Sequence, residues 1–328
     1  MSTSTTHNDP PVRWGFLGVG MLAQNATAAS VHAGTDMELF ASAARDPQRA
    51  ATINPRVVHA NYQALIDDPN VEAVYISLQN SAHFPWIEAS LEAGKHVLCE
   101  KPLTLTSADT VRAFDIAESH GLILAEATWA LWSPRMRRIT QIVDSGLIGD
   151  PENYLGTFTF NSVPENNYRL EPELGGGALF DVGIYPLHVL VSLLPKDTLF
   201  TVTEARLEHA QYRVDMTTRA QITWRTPQGS MGTAAIIAAF NLHPSQRFLL
   251  KGSQGEIAIS DDQAFTLWKQ PGSLMINGKQ EDFDPVDPYQ VMFEQFSQKL
   301  RGKDAWLPEQ WQSIRVAELV EQIQTYTR

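Results

Sequence analysis

From residue 12 to about residue 126 the chain alternates short apolar runs with stretches of helical period, and no other feature constrains the fold as tightly. The runs at 12–18, 37–44, 57–60, 73–78, 96–99 and 122–125 predict strands. The stretches at 22–33, 62–67, 82–93 and 108–120 predict helices between them. None of the runs keeps strict two-residue alternation, as expected of strands covered on both faces. Strands and helices in this order build a doubly wound parallel sheet.

The pattern changes near residue 153. Longer runs with two-residue period follow at 154–162, 199–207, 216–224, 231–240, 247–251 and 256–260. The turn sequences Pro227-Gln228-Gly229-Ser230 and Gly252-Ser253-Gln254-Gly255 separate several of them and predict a mainly antiparallel sheet. One helix, 177–194, interrupts these strands, and two more, 288–300 and 308–325, close the chain. At roughly 150 residues per domain, 328 residues predict two domains. The expected division is a disordered polar tail at 1–11, a first domain at 12–133 and a second at 134–328.

Composition removes several classes of function. Lys and Arg number 25 against 37 Asp and Glu, a net charge of −12, which is the wrong sign for a nucleic-acid footprint. Cys99 is the only cysteine, so no internal disulfide forms and a reducing compartment is expected. The most apolar stretch, 231–240, falls short of the ~18 residues of a membrane span. Residues 1–11 lack the apolar core of a signal peptide. A cytoplasmic protein with neither membrane nor nucleic-acid partners is expected. The nine histidines contain no H-E-x-x-H, so no metal is expected. Residues 272–279 are only superficially like a P-loop, because the spacing is wrong and Gln280 replaces Ser or Thr.

The first strand ends in Gly18-Val19-Gly20-Met21-Leu22-Ala23, a G-x-G-x-x-A pattern. Gly18 allows the strand-to-helix turn, Gly20 lets backbone approach a pyrophosphate, and Ala23 permits close helix–strand packing. The helix beginning near Met21 and Leu22 offers its amides and dipole to the phosphates. At the end of the second strand, where an acidic residue would take an NAD ribose, the chain reads Ala44-Arg45-Asp46. Arg45 suits the 2′-phosphate of NADP, with NAD as the lesser possibility. Alternatively, Arg45 is a solvated side chain paired with Asp46.

The fifth strand runs into Glu100-Lys101-Pro102, which places Lys101 just beyond the carboxyl end of a strand, facing a cofactor crevice. Further on, Gly175-Gly176-Gly177 precedes a helix on which Asp181, Tyr185 and His188 share a face by their spacing. Each also has a structural reading: Asp181 as a capping carboxylate, Tyr185 as core, His188 as a satisfied buried histidine. Trp129 and Trp132 near the domain junction line a substrate pocket or pack the junction.

Three of these motifs, residues 18–23, Ala93-Gly94-Lys95-His96-Val97 and Glu100-Lys101-Pro102, resemble the Gfo/Idh/MocA family of NAD(P)-dependent oxidoreductases. The resemblance extends through Asn80-Ser81-Ala82-His83, Ser145-Gly146-Leu147-Ile148-Gly149 and the run from Gly175 to Tyr185, and so spans nearly the whole chain. Within the family it is nearest the dimeric dihydrodiol dehydrogenase and NADP-dependent xylose dehydrogenase branch. The resemblance implies an N-terminal Rossmann domain followed by an α/β domain with a large, mainly antiparallel open sheet. It implies hydride transfer between a secondary alcohol (a sugar, polyol or cyclic diol) and C4 of the nicotinamide.

On this reading Gly18, Gly20, Met21, Leu22, Ala23, Arg45, Asn80, His83, Glu100 and Lys101 bind the cofactor. Lys101, Tyr185 and Asp181 are catalytic, Trp129 and His188 meet the substrate, and His188 is the reserve proton donor. A free phenol with a pKa about 10 is a weak base at neutral pH, and the Lys101 ammonium is expected to favour tyrosinate. A homodimer or homotetramer through the second sheet is expected. The rival readings are a dinucleotide-dependent, glycosidase-like hydrolase and a non-catalytic NADP-binding regulator.

Overall fold

The computed structural model describes residues 9–259 and 262–326. The expected tail falls mostly on residues 1–8, outside the described residues, as does Ser260 at the end of one predicted strand; residues 9–11 are exposed and without regular structure.

Six strands form the first sheet: β1 (Val12–Leu17), β2 (Met37–Ala43), β3 (Val57–His59), β4 (Ala73–Ile76), β5 (His96–Glu100) and β6 (Leu124–Ala127). All pairings are parallel, in the order β3-β2-β1-β4-β5-β6. The order reverses between β1 and β4, and that switch point opens a crevice at the carboxyl ends of the strands. The crossover helices are α1 (Ala28–Ala33), α2 (Pro47–Ala51), α3 (Tyr62–Ile66), α4 (His83–Glu92) and α5 (Ser107–Ser119). Side chains at the N-caps start three of them, with Asp46, Asn61 and Thr106 accepting from backbone amides of α2, α3 and α5.

The second sheet contains β7 (Pro151–Thr159), β8 (Leu199–Glu208), β9 (Thr217–Arg225), β10 (Met231–Ala239), β11 (Ser245–Gly252), β12 (Gly255–Ile259), β13 (Gly272–Ile276) and β14 (Lys279–Phe283). Its order is β14-β13-β12-β11-β7-β10-β9-β8. Among the described pairings of this second sheet only β7–β10 is parallel. The last two strands escaped the periodicity reading. The stretch considered against a P-loop is a hairpin, turned by Asn277 and Gly278 at φ 49° and 77°, the left-handed pair that suits a two-residue hairpin turn.

Four further helices complete the chain: α6 (Pro134–Asp144), α7 (Ile184–Ser192), α8 (Pro288–Leu300) and α9 (Gln310–Thr325). A π-helical turn, Leu179–Gly183, leads into α7, and another, Ala23–Thr27, leads into α1. Pro186 follows closely behind the first of these, where the regular helical ladder is already interrupted. Gly156 lets α7 lie close on β7, since a Cβ there would stand 2.4 Å from Pro186, and Tyr154 OH donates to the Pro186 carbonyl at 2.9 Å. The apolar stretch Pro172–Ser192 is long enough to span a membrane, but 83% of its most apolar window is buried inside the protein.

Packing crosses the division expected at 133/134. α8 lies against the first sheet: Trp14 on β1 donates to Ser297 Oγ at 3.1 Å and meets Phe293 edge-on at 4.9 Å. Glu321 on α9 accepts from the Ser107 amide and hydroxyl, each at 2.7 Å, at the start of α5. The core is therefore continuous between the two sheets.

Candidate active site

The cofactor end is built from backbone. Gly18 adopts φ +94°, and a Cβ there would stand 2.4 Å from the Ser77 carbonyl oxygen, so only glycine fits. A Cβ on Gly20 would meet nothing within 4 Å. The backbone there faces open space at the start of the helix that begins at Met21, and a pyrophosphate can come up against it. Ala23 is buried and Met21 exposed. Arg45 is exposed past β2, and its guanidinium has no ion pair among the described residues. The Asp46 carboxylate instead caps α2 through the Gln48 amide at 3.0 Å. Gly18, Gly20 and Arg45 thus fit a dinucleotide with a 2′-phosphate.

The catalytic end is built from side chains delivered by separate segments. Lys101, one residue past β5, donates from Nζ to the Asp181 carbonyl at 2.7 Å and to Asp181 Oδ1 at 3.1 Å. Arg169 Nε donates to the other carboxylate oxygen, Oδ2, at 2.6 Å. Asp181 lies in the π-helical turn, and Tyr185 follows four residues later on the same face. Lys101 Nζ sits 5.1 Å from the Tyr185 ring centroid. Tyr185 Oη accepts a hydrogen bond from Trp129 Nε1 at 3.0 Å. Lys101, Arg169, Asp181 and Tyr185 border a cleft of about 320 Å³, with Leu22 and Glu100 on the cofactor side and Phe158, Phe160, Asn167 and Tyr289 around it.

The charges settle each other. Burial opposes the Asp181 carboxylate, but Lys101 and Arg169 overcome it and hold its pKa below the ordinary value. Burial likewise opposes the Lys101 ammonium, and Asp181 raises its pKa beyond that of a free lysine. For Tyr185 the balance goes the other way. Burial raises the phenol pKa above 10 and Lys101 offsets only part of the rise. The expectation of a tyrosinate is thereby overturned, because burial of the phenol outweighs the nearby Lys101 charge. Tyr185 is a neutral phenol whose oxygen already accepts from Trp129, so its own proton remains to be donated. Beneath it, burial pushes the Glu100 carboxyl up to about 7, against the lowering effect of the Tyr75 hydroxyl that donates to it at 2.7 Å.

Four expected contact residues stand behind the cleft rather than on its wall. Asn80 Nδ2 donates to the Gly175 carbonyl at 2.8 Å. His83 is fully buried, with Nδ1 2.7 Å from the Pro102 carbonyl and Nε2 3.2 Å from that of Leu78, so neither nitrogen is left for a cofactor. His188 lies toward β6, with Nε2 3.2 Å from Glu126 Oε1, and does not line the cleft. Trp129 stacks on Tyr289 at 4.6 Å and serves the site through its bond to Tyr185.

Arg169 was not anticipated, although its position just ahead of the triple glycine was a usable signal. The Gly177 amide donates to the Arg169 carbonyl at 2.9 Å, and a Cβ on Gly176 would stand 2.5 Å from that oxygen. The glycines therefore let the backbone close on the turn carrying Arg169, which brings its guanidinium onto Asp181. They do more than start a helix.

A glycine turn at the switch point of a parallel sheet, opening on a cleft with a lysine and a phenol, defines a dinucleotide-dependent oxidoreductase. Residues 12–128 match the model of the oxidoreductase family with an NAD-binding Rossmann fold, and residues 136–258 match the Gfo/Idh/MocA C-terminal domain. The chain is 30% identical to a dTDP-3,4-didehydro-2,6-dideoxy-alpha-D-glucose 3-reductase of Actinomadura kijaniata, over 98% of this chain and 97% of that one. It is 30% identical to trans-1,2-dihydrobenzene-1,2-diol dehydrogenase of Mus musculus, over 84% and 80%. The crystal structure of KijD10, a 3-ketoreductase from Actinomadura kijaniata in complex with NADP and TDP-benzene, superposes with a TM-score of 0.84 at 29% identity, covering 96% and 97%. The chain belongs to the Gfo/Idh/MocA family of oxidoreductases.

Proposed function

We propose that the protein is an NADP-dependent oxidoreductase that interconverts a ketone and a secondary alcohol on a sugar, polyol or cyclic diol, with Lys101 and Tyr185 as its catalytic groups. Its relatives act on a deoxyketosugar and on a dihydrodiol, and both substrates present the same carbon–oxygen chemistry. NADP, bound through Gly18, Gly20, the helix start at Met21 and Leu22, and Arg45, supplies hydride-transfer chemistry at C4 of its nicotinamide.

The protein's own groups act on the substrate oxygen. Lys101 donates a hydrogen bond to it and stabilises the negative charge that builds there during reduction. Tyr185 delivers the proton. Asp181, braced by Arg169, keeps Lys101 charged and aimed. The observation that carries this reading is the Tyr185 hydroxyl, which accepts from Trp129 and so keeps its proton for the cleft. A phenol whose pKa lies above its ordinary value is protonated near neutral pH, the form that gives a proton to the ketone oxygen during reduction. A cytoplasmic homodimer or homotetramer associating through the second sheet completes the reading.

The test is a panel of ketosugars and cyclic ketones with NADPH, and of aldoses, polyols and cyclic diols with NADP, followed by nicotinamide absorbance. Turnover with some member, faster with NADPH than with NADH, is expected. Cofactor binding with no absorbance change on any member would mark a regulator. Substrate consumed without net absorbance change would mark the hydrolase.

A further inference from the structure

We propose that the protein carries a second ligand site, for a small monocarboxylate with a flat apolar body, between α6, the C-terminal end of α7 and the start of α9. A cavity of about 300 Å³ opens there and shares no lining residue with the cleft. Its floor is apolar: Met136, Ile139 and Leu193 line it and are buried. On its wall Arg137 is half-buried, with its guanidinium carbon 4.0 Å from the Trp306 ring centroid. That guanidinium has no ion pair or hydrogen-bond acceptor among the described residues. Trp311 lines the same cavity, and its indole N–H is buried without an acceptor.

These groups specify the ligand. A guanidinium stacked on an indole has its face covered and its edge free, and two N–H groups on that edge match the two oxygens of a carboxylate. Burial disfavours the Arg137 cation and outweighs the attraction of nearby Asp144, holding its pKa below the ordinary value, so an anion arriving at the free guanidinium edge relieves a remaining penalty. The Trp311 N–H offers a further donor. At the rim, exposed Lys196 adds positive charge, while exposed Asp144 and Glu309 repel a second negative charge. A monoanion is thereby preferred to a phosphate or dicarboxylate. The volume is at the low end of the roughly 300–1,000 Å³ of small-molecule pockets and suits one ring.

The test titrates the full-length protein with benzoate and with benzamide, its neutral counterpart, by calorimetry. Saturable binding of benzoate is expected, at least about tenfold tighter than that of benzamide. Arg137→Gln should reduce benzoate to the benzamide level, whereas Tyr185→Phe should leave it unchanged because the cleft is elsewhere. Trp311→Phe keeps an aromatic ring and removes only the N–H, and should weaken benzoate by about threefold or more. This variant keeps the proposal testable if Arg137→Gln fails to fold. Absence of saturable binding, equal affinity for both probes, or benzoate affinity that survives Arg137→Gln or Trp311→Phe overturns the proposal. Loss of benzoate binding in Tyr185→Phe would place the ligand in the cleft and overturn it equally.

Discussion

The two ends of the cleft are made in opposite ways. At the cofactor end, one continuous segment from β1 through Ala23 supplies the turn, and the decisive atoms are backbone: the left-handed Gly18 against the Ser77 carbonyl, and Gly20 facing open space. At the catalytic end, Lys101, Trp129, Arg169, Asp181 and Tyr185 arrive from four stretches of chain and are locked by hydrogen bonds of 2.6 to 3.1 Å. A backbone site tolerates side-chain change wherever no Cβ intrudes. A site made of coupled charges does not, because each charge is held by another. The comparison teaches that the first end depends on chain shape and the second on electrostatic balance.

The sharpest way to break that contrast is at Tyr185. Tyr185→Phe should leave NADP affinity unchanged and lower kcat by about 10²–10⁴, the range for loss of a general acid. Stopped-flow turnover and fluorescence titration of NADPH separate the two effects. Near-normal turnover would remove the phenol from the chemistry.

Glu100 tests the electrostatic end through pH. Its folded-state pKa of about 7 lies above the ordinary 4.5, so the folded protein holds this proton more tightly than the unfolded chain does. The stabilisation is full below about 4.5 and is lost as pH rises through about 7, a difference of order 3 kcal/mol. Thermal melts should therefore show Tm falling from pH 5 to pH 8 in the wild type, and a shallower fall in Glu100→Gln. An identical slope in both proteins would assign it to other groups.

The two glycines divide shape from contact. Gly18→Ala should destabilise the fold by about 1–3 kcal/mol, since the new Cβ meets a carbonyl and sits at positive φ. Gly20→Val should leave Tm nearly unchanged and weaken NADP at least about tenfold, because its side chain enters only the open space. Equal loss of stability in both would erase the distinction. The smallest effect is expected at Arg169. Arg169→Gln should lower kcat by about tenfold, through a less firmly held Asp181, with a smaller change in NADP affinity. Unchanged kcat would show that Lys101 alone suffices to hold that carboxylate.

Much of the architecture could be read in advance, and the exceptions are instructive. The parallel sheet, the second sheet and the placing of Lys101 and Tyr185 at one cleft follow from local pattern and motif. The β13–β14 hairpin escaped because its strands are short and half-exposed, so periodicity was faint even though Asn277-Gly278 marks the turn. His188 shares its spacing with Tyr185, but spacing alone carries no information about the buried Glu126 beside which it packs. Asn80 and His83 belong to a matching motif, yet the partners that engage them are carbonyls of distant segments.

By itself the sequence determined what depends on neighbours along the chain: alternating elements, a glycine turn that only glycine can make, and the chemical types present at residues 101, 181 and 185. Tertiary structure alone decided the protonation of Tyr185, the engagement of Arg169 and the diversion of His188. Those outcomes depend on burial and on charges a few ångströms apart in space but tens of residues apart in sequence. Local pattern cannot encode a distance that only the packed fold creates.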